Sequence, residues 1–187
     1  MKTAYKHIHF VGIKGVAMTA LALYFNDQGV SVTGSDGEGV FPTQQALDQA
    51  HILVSEGFSA ATIEKQKNLD LVVYTGAHGG KDNTEVVTAV KLGIAVMALG
   101  QALGMVIDSI RLISVAGSHG KTTTSAMLAS IFSASNVDPS YAIGCGEILG
   151  LGNPGHYGKG NVFIAEADEY MTDPGHDTKP RFLWQHP

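Results

Sequence analysis

The chain has 187 residues, of which 44% are hydrophobic and 16% charged, and a net charge of -5. That is enough apolar material for one large packed domain or two small ones, and it excludes the basic surface that nucleic acid binding needs. The polar N-terminus is not followed by a long apolar run and Cys145 is the single cysteine, so no membrane partner is expected and the cytoplasm is the expected compartment.

Short β-branched runs alternate with helical patterns, which predicts an α/β fold of parallel sheets covered by helices. The first half reads as a strand at 7–11, a helix at 17–28 stopped by Gly29, and a strand at 31–34. A helix at 43–49, a strand at 52–55, a helix at 60–67 and a strand at 71–75 follow. Asn83 caps a helix that runs to Leu92, Gly93 stops it, and a strand at 94–98 and a helix at 100–107 close the unit. A domain boundary is placed at Asp108-Ser109, dividing the chain into 1–108 and 109–187. The second part offers strands at 111–115, 141–143 and 161–165 and a final apolar run, Phe182 to Trp184. A sheet buried on both faces usually has about five strands, so the chain is expected to stop inside its second domain.

Two glycine turns carry the chemistry. Arg111 to Val115 leads into Gly117-Ser118-His119-Gly120-Lys121-Thr122-Thr123-Thr124 and then an amphipathic helix with Ala126, Met127, Leu128, Ile131 and Phe132. Glycines let backbone N–H groups turn toward one cluster of anionic oxygens, the helix N-terminus adds partial positive charge, and a Lys-Thr pair offers an ammonium to phosphate and a hydroxyl to magnesium. The loop is a variant of G-x-x-x-x-G-K-[ST], because Val115 stands where the first glycine would be. Near the N-terminus, Gly12-Ile13-Lys14-Gly15-Val16-Ala17 follows a strand and opens a helix. It matches G-x-G-x-x-[GA] at positions 12 and 17, has Lys14 where a glycine would let backbone approach a diphosphate, and has Asp36 at the distance of a ribose ligand. The charge of Lys14 is expected to offset the missing glycine. For each turn the rival is an ordinary βα connection with a chance lysine.

Two further segments fall at strand ends. Thr75-Gly76-Ala77-His78-Gly79-Gly80 can present polar groups at the carboxyl edge of the first sheet. Glu166-Ala167-Asp168-Glu169 gathers three carboxylates, an arrangement favoured when a cation sits among them. Cys145 reads as a small residue in a glycine-rich turn.

Together these pieces resemble the Mur ligase family, ATP-dependent enzymes that add amino acids to UDP-linked muramic acid. The match rests on residues 9–18 (HFVGIKGVAM), 33–36 (TGSD), 116–124 (AGSHGKTTT) and 166–169 (EADE), in family order. The resemblance implies a Rossmann-like UDP-substrate domain, here 1–108, followed by the truncated start of a P-loop ATPase domain, here 109–187. A C-terminal domain would lie beyond the chain, and the isolated chain is expected to be inactive. It further implies ATP and Mg2+ as cofactors, with Gly117, Ser118, His119, Gly120, Lys121, Thr122 and Thr123 toward ATP. Thr122 and Glu166 would hold the metal, Lys121 and Glu166 serve catalysis, and Asp168 and Glu169 orient the metal's waters. Gly12, Ile13, Lys14, Gly15 and Val16 would face the UDP diphosphate, and Ser35, Asp36, Thr75 and His78 the uridine. The opening turn and the Lys121 loop are most similar to members that join L-alanine to UDP-N-acetylmuramate. Tyr170 departs from them and is similar to members that recycle a tripeptide onto the same acceptor. Outside the family, an NAD-dependent oxidoreductase would explain the first turn but not Lys121, and a non-catalytic nucleotide-binding module would explain both turns without acyl transfer.

Overall fold

A computed structural model describes residues 3–108 and 110–185. Ser109 of the expected domain boundary lies outside the described residues, as do Met1, Lys2, His186 and Pro187.

The first half folds as β1 (His7–Val11), α1 (Val16–Asp27), β2 (Ser31–Asp36), α2 (Gln44–Gln49), β3 (Leu53–Glu56), α3 (Ala60–Glu64), β4 (Leu71–Tyr74), a 3-10 turn (Gly80–Asp82), α4 (Thr84–Lys91), β5 (Ala95–Ala98) and α5 (Leu99–Ile107). Its five strands are parallel in the order β3-β2-β1-β4-β5, so the winding reverses between β1 and β4. In such sheets the crevice at the carboxyl ends of the two reversing strands is where ligands bind. Here it is bounded by the Gly12 turn after β1 and the Thr75 segment after β4.

The second half contributes β6 (Arg111–Val115), α6 (Lys121–Ala134), β7 (Ser140–Ala142), β8 (Gly155–His156) and β9 (Val162–Glu166). The sheet order is β6-β9-β7-β8, with β6, β9 and β7 parallel and β8 antiparallel. A hairpin of β10 (Met171–Asp173) and β11 (Asp177–Pro180) follows, and then a 3-10 helix at Arg181–Gln185. The run Phe182 to Trp184 is therefore helical rather than a further strand. Trp184 lies over Gly100 and Gly104 of α5, a surface open enough for an indole because neither glycine has a Cβ. The strand β8 and the hairpin have no counterpart in the sequence reading; both are short and rich in polar residues, glycine or proline.

The helix α1 explains how the two sheets meet. Its residues Met18 to Phe25 are all buried, a pattern that amphipathicity toward a single sheet cannot give. One side packs with Phe10 of β1. The other carries Tyr24, whose ring stands edge-on to Phe163 of β9 at 5.3 Å and to Tyr157 at 5.6 Å. Gly155 of β8 passes so close to the Ala20 carbonyl that no side chain would fit there. By contrast α6 buries only Ser125 and Ala129 and leaves Met127 and Ile131 exposed.

Candidate functional site

Parallel register places Val115 of β6 beside Glu166 of β9, so the loop after β6 and the acidic end of β9 open at the same edge. Gly117 and Gly120 take φ values of 147° and 79°, in the region that favours glycine, and let the loop fold back over the start of α6. Among the described residues, no amide from Gly117 to Thr123 donates to a backbone carbonyl; the first such bond runs from Thr124 N–H to Gly120 O at 2.8 Å. Those amides are available to an anion.

Around this loop the side chains are ordered by short contacts. The Thr122 hydroxyl donates to Glu166 Oε2 at 3.0 Å, and Gly144 N–H donates to Glu166 Oε1 at 2.8 Å. The Lys121 ammonium donates to Gly117 O at 2.7 Å and to both Glu169 oxygens at 3.0 and 2.8 Å. This pairing raises the Lys121 pKa and lowers that of Glu169. Ser118 and His119 stand exposed at the loop tip.

The three carboxylates do not gather about one cation. Glu166 is held by Thr122 and Gly144, Asp168 pairs with Arg181 Nη1 at 2.9 Å, and Glu169 pairs with Lys121. Protein cations thus relieve the repulsion at Asp168 and Glu169. Among the described residues no group of three or more His, Cys, Asp or Glu side chains converges as a metal cage. Thr122 and Glu166 nevertheless supply hard oxygen donors beside a phosphate-type loop, which suits Mg2+, an ion usually held by one or two carboxylates and substrate phosphates.

At the first turn most sequence-selected groups are engaged in folding it. Gly12 and Ile13 N–H donate to Ser35 O at 2.8 and 3.1 Å, Lys14 N–H donates to Asp36 Oδ2 at 2.6 Å, and Gly15 N–H donates to Gly12 O at 3.3 Å. The Ile13 side chain is fully buried against Gly34. The Lys14 ammonium donates to Gly37 O and Gly39 O, each at 3.1 Å, and lies over the Phe41 ring. Here the ammonium ties down the segment after β2. What remains for an anion is the first turn of α1, beginning at Val16, whose cap Gly15 provides no side-chain acceptor.

Asp36 and Ser35 are also turned inward. Asp36 accepts from the amides of Lys14 and Gly37, and the Ser35 hydroxyl donates to Glu85; both residues are buried. Both side chains are thus engaged inside the fold. Across the crevice, Thr75 packs against Gly12, and His78 Nε2 lies 3.4 Å from Asp36 Oδ1 with its ring on Phe58. Gly12, Thr75 and His78 are thus brought together.

Between the sheets lies a cavity of about 360 Å³. Val16, Ala17, Leu99 and Leu103 form its apolar wall, and Lys121, Thr122, Glu166, Tyr170 and Arg181 form the polar one. The sequence reading missed Arg181, Glu85 and Asp173, since each acts through partners distant in the chain. An apolar, partly enclosed space that ends at a phosphate-type loop suits an acyl substrate presented to a nucleotide.

The model of the Mur ligase family, catalytic domain, matches residues 7–111. The chain belongs to the Mur ligase family. Among curated Mur ligases, the UDP-N-acetylmuramate–L-alanine ligase of Desulfitobacterium hafniense is 42% identical over 165 residues, 88% of this chain and 35% of that protein. The enzyme of the same name from Bifidobacterium adolescentis is 41% identical over 169 residues, 86% of this chain and 31% of its own. The chain thus spans about a third of these relatives' length. Of solved Mur ligases, the UDP-N-acetylmuramate:L-alanyl-gamma-D-glutamyl-meso-diaminopimelate ligase of Neisseria meningitides superposes with a TM-score of 0.83 at 31% identity, covering 98% of this chain and 59% of that one. The UDP-N-acetylmuramate-alanine ligase of Thermotoga maritima gives 0.76 at 31% identity, covering 87% and 37%. The expected resemblance and the parallel α/β fold are borne out. No helix among the described residues is long and apolar enough to cross a membrane.

Proposed function

We propose that this chain supplies the acceptor-binding and nucleotide-binding parts of an ATP-dependent ligase that joins L-alanine to UDP-N-acetylmuramate in the cytoplasm, at an early step of peptidoglycan precursor synthesis. In this reading residues 1–108 bind the UDP substrate and residues 109–187 open the ATPase domain. The observation that carries it is the unpaired run of amides from Gly117 to Thr123, next to Lys121, Thr122 and Glu166, on the wall of a cavity shared with the first sheet.

The chemistry calls for such parts. A carboxylate is a poor acyl donor, so amide formation requires the γ-phosphoryl group of ATP to convert it to an acyl phosphate, which the amine then attacks. Two anions must meet, and Lys121 together with the loop amides would offset their repulsion and the charge on the transferred phosphoryl group. Thr122 and Glu166 would hold Mg2+, which contributes further positive charge when bound. To receive phosphate, Lys121 must exchange its contact with Glu169. The apolar wall of Val16, Ala17, Leu99 and Leu103 would limit water near the activated acyl group, which otherwise hydrolyses.

Calorimetric titration of the chain with Mg-ADP and with UDP-N-acetylmuramate tests the reading. Binding of both, with loss of the first in Lys121→Ala, supports it; binding of NADH without response to UDP-N-acetylmuramate overturns it. A second reading, ligation of a tripeptide to the same acceptor, is favoured by Tyr170 and by the superposition on the Neisseria enzyme, which extends over 98% of the chain against 87% for the alanine ligase.

A further inference from the structure

The hairpin β10–β11 leaves the nucleotide side of the molecule and ends against the first sheet. Its root is fixed by the pairs Lys121–Glu169 and Arg181–Asp168. Its tip meets the segment that follows β4. Asp173, 2% exposed, accepts from Lys81 N–H through Oδ2 at 2.9 Å and from Gly175 N–H through Oδ1 at 3.0 Å. A Cβ on Gly80 would lie 2.5 Å from Asp173 Oδ1, and one on Gly76 would lie 2.7 Å from Thr172 O. Gly80 has a φ of 52°, so both the close approach and the conformation call for glycine. Outside this contact, His176 Nε2 pairs with Asp82 Oδ2 at 2.9 Å.

The clamped segment carries Thr75 and His78 at the β1/β4 crevice. Asn83 Nδ2 donates to His78 O at 2.9 Å, so His78 is held by one bond from the α4 side and, through Gly80 and Lys81, by the hairpin. A buried carboxylate that accepts backbone amides fixes the chain that carries them, and its removal leaves those amides without acceptors.

We propose that Asp173 is a positioning residue for the sugar-nucleotide site: from the hairpin that follows the Glu166 strand, it sets the 75–82 segment and with it His78. The proposal rests on the functional reading above. It makes the acceptor crevice depend on an element rooted beside the Lys121 loop.

The test is calorimetry on the wild-type chain and on Asp173→Ala, Asp173→Asn and Gly80→Ala, each titrated separately with UDP-N-acetylmuramate and with Mg-ADP. About tenfold weaker UDP-N-acetylmuramate binding is expected for Asp173→Ala and Gly80→Ala, with Mg-ADP binding within about twofold of wild type. Asp173→Asn keeps one acceptor oxygen and recovers most of the loss. The His78 ring resonances move in Asp173→Ala and return in Asp173→Asn. If Asp173→Ala does not fold, Gly80→Ala carries the comparison against wild type. Unchanged UDP-N-acetylmuramate affinity in folded Asp173→Ala or Gly80→Ala, or equal weakening of both ligands there, overturns the clamp alone. A wild-type chain that binds Mg-ADP but ignores UDP-N-acetylmuramate overturns the functional reading and the clamp with it.

Discussion

His156 Nδ1 of β8 lies 2.6 Å from Asp27 Oδ2 at the end of α1, while its Nε2 lies 3.0 Å from Asp138 Oδ1. One imidazole therefore joins the helix of the first sheet to the edge of the second. Two carboxylates on two ring nitrogens are both served only when both nitrogens carry protons. His156→Ala is expected to lower stability by about 1 kcal/mol or less, because all three groups are partly exposed and screened. Urea unfolding at low and high salt checks this: the difference between variant and wild type shrinks as salt rises.

Stability should fall at both ends of the pH range for separate reasons. On the acid side, amides of Lys6 and His7 hold Asp70 below the usual carboxylate range, and His156 followed by Lys159 N–H does the same for Asp138. Their folded pKa values lie below the unfolded ones, so the stability they contribute is present above the ordinary carboxylate pKa. It is lost as pH falls through the lower folded values. On the alkaline side, burial pushes Tyr24 and Tyr141 from 10.0 up to about 12. Their contribution is complete below pH 10 and disappears as pH rises through about 12. Two pKa units correspond to roughly 2 to 3 kcal/mol for each tyrosine. Urea midpoints at pH 3, 7, 10 and 12 test both limbs, and Tyr24→Phe should flatten the alkaline one.

Lys121 is paired with Glu169, so a phosphate must displace a carboxylate. Glu169→Gln removes the competing charge while keeping the side chain's shape. Because Glu169 is exposed, the gain is modest: Mg-ADP affinity should rise about two- to fivefold. If Glu169 were instead needed for the metal, the same variant would weaken binding only when Mg2+ is present. Titrations with and without Mg2+ distinguish the two.

How legible these features are in the sequence depends on chain separation. The Lys121 loop is readable because strand, glycines, Lys-Thr and helix are consecutive, and β1 to β5 follow from local periodicity and glycine stops. The run 17–28 with its Gly29 stop identifies the helix α1, and in the structure its second face is what receives Phe163 and Tyr157. Asp173, by contrast, is 92 residues from Lys81, and the hairpin that carries it lacks apolar alternation. The inward turns of Ser35, Asp36 and Lys14 follow from hydrogen-bond demand inside the crevice, which spacing alone does not report.

Glu85 offers the sharpest stability test. It sits in the first turn of α4, fully buried, where its Oε2 lies 3.4 Å from His9 Nε2 and accepts from the Ser35 hydroxyl, and its Oε1 accepts from Ser59 N–H at 3.2 Å. Burial alone would raise its pKa, but the bonds from His9 and Ser35 outweigh burial and hold it below the usual carboxylate range. One carboxylate thus joins β1, β2 and the segment before α3, close beneath the Gly12 turn, whose amides lean on Ser35 O. Glu85→Ala strands two buried side chains, His9 and Ser35, together with the Ser59 N–H, and should cost about 3 kcal/mol. Glu85→Gln keeps the shape and an acceptor oxygen and should cost about 1 kcal/mol. Urea unfolding ranks the two variants. Equal and small losses would mean that water replaces the carboxylate, and that the Gly12 turn is held by the Ser35 carbonyl without help from below.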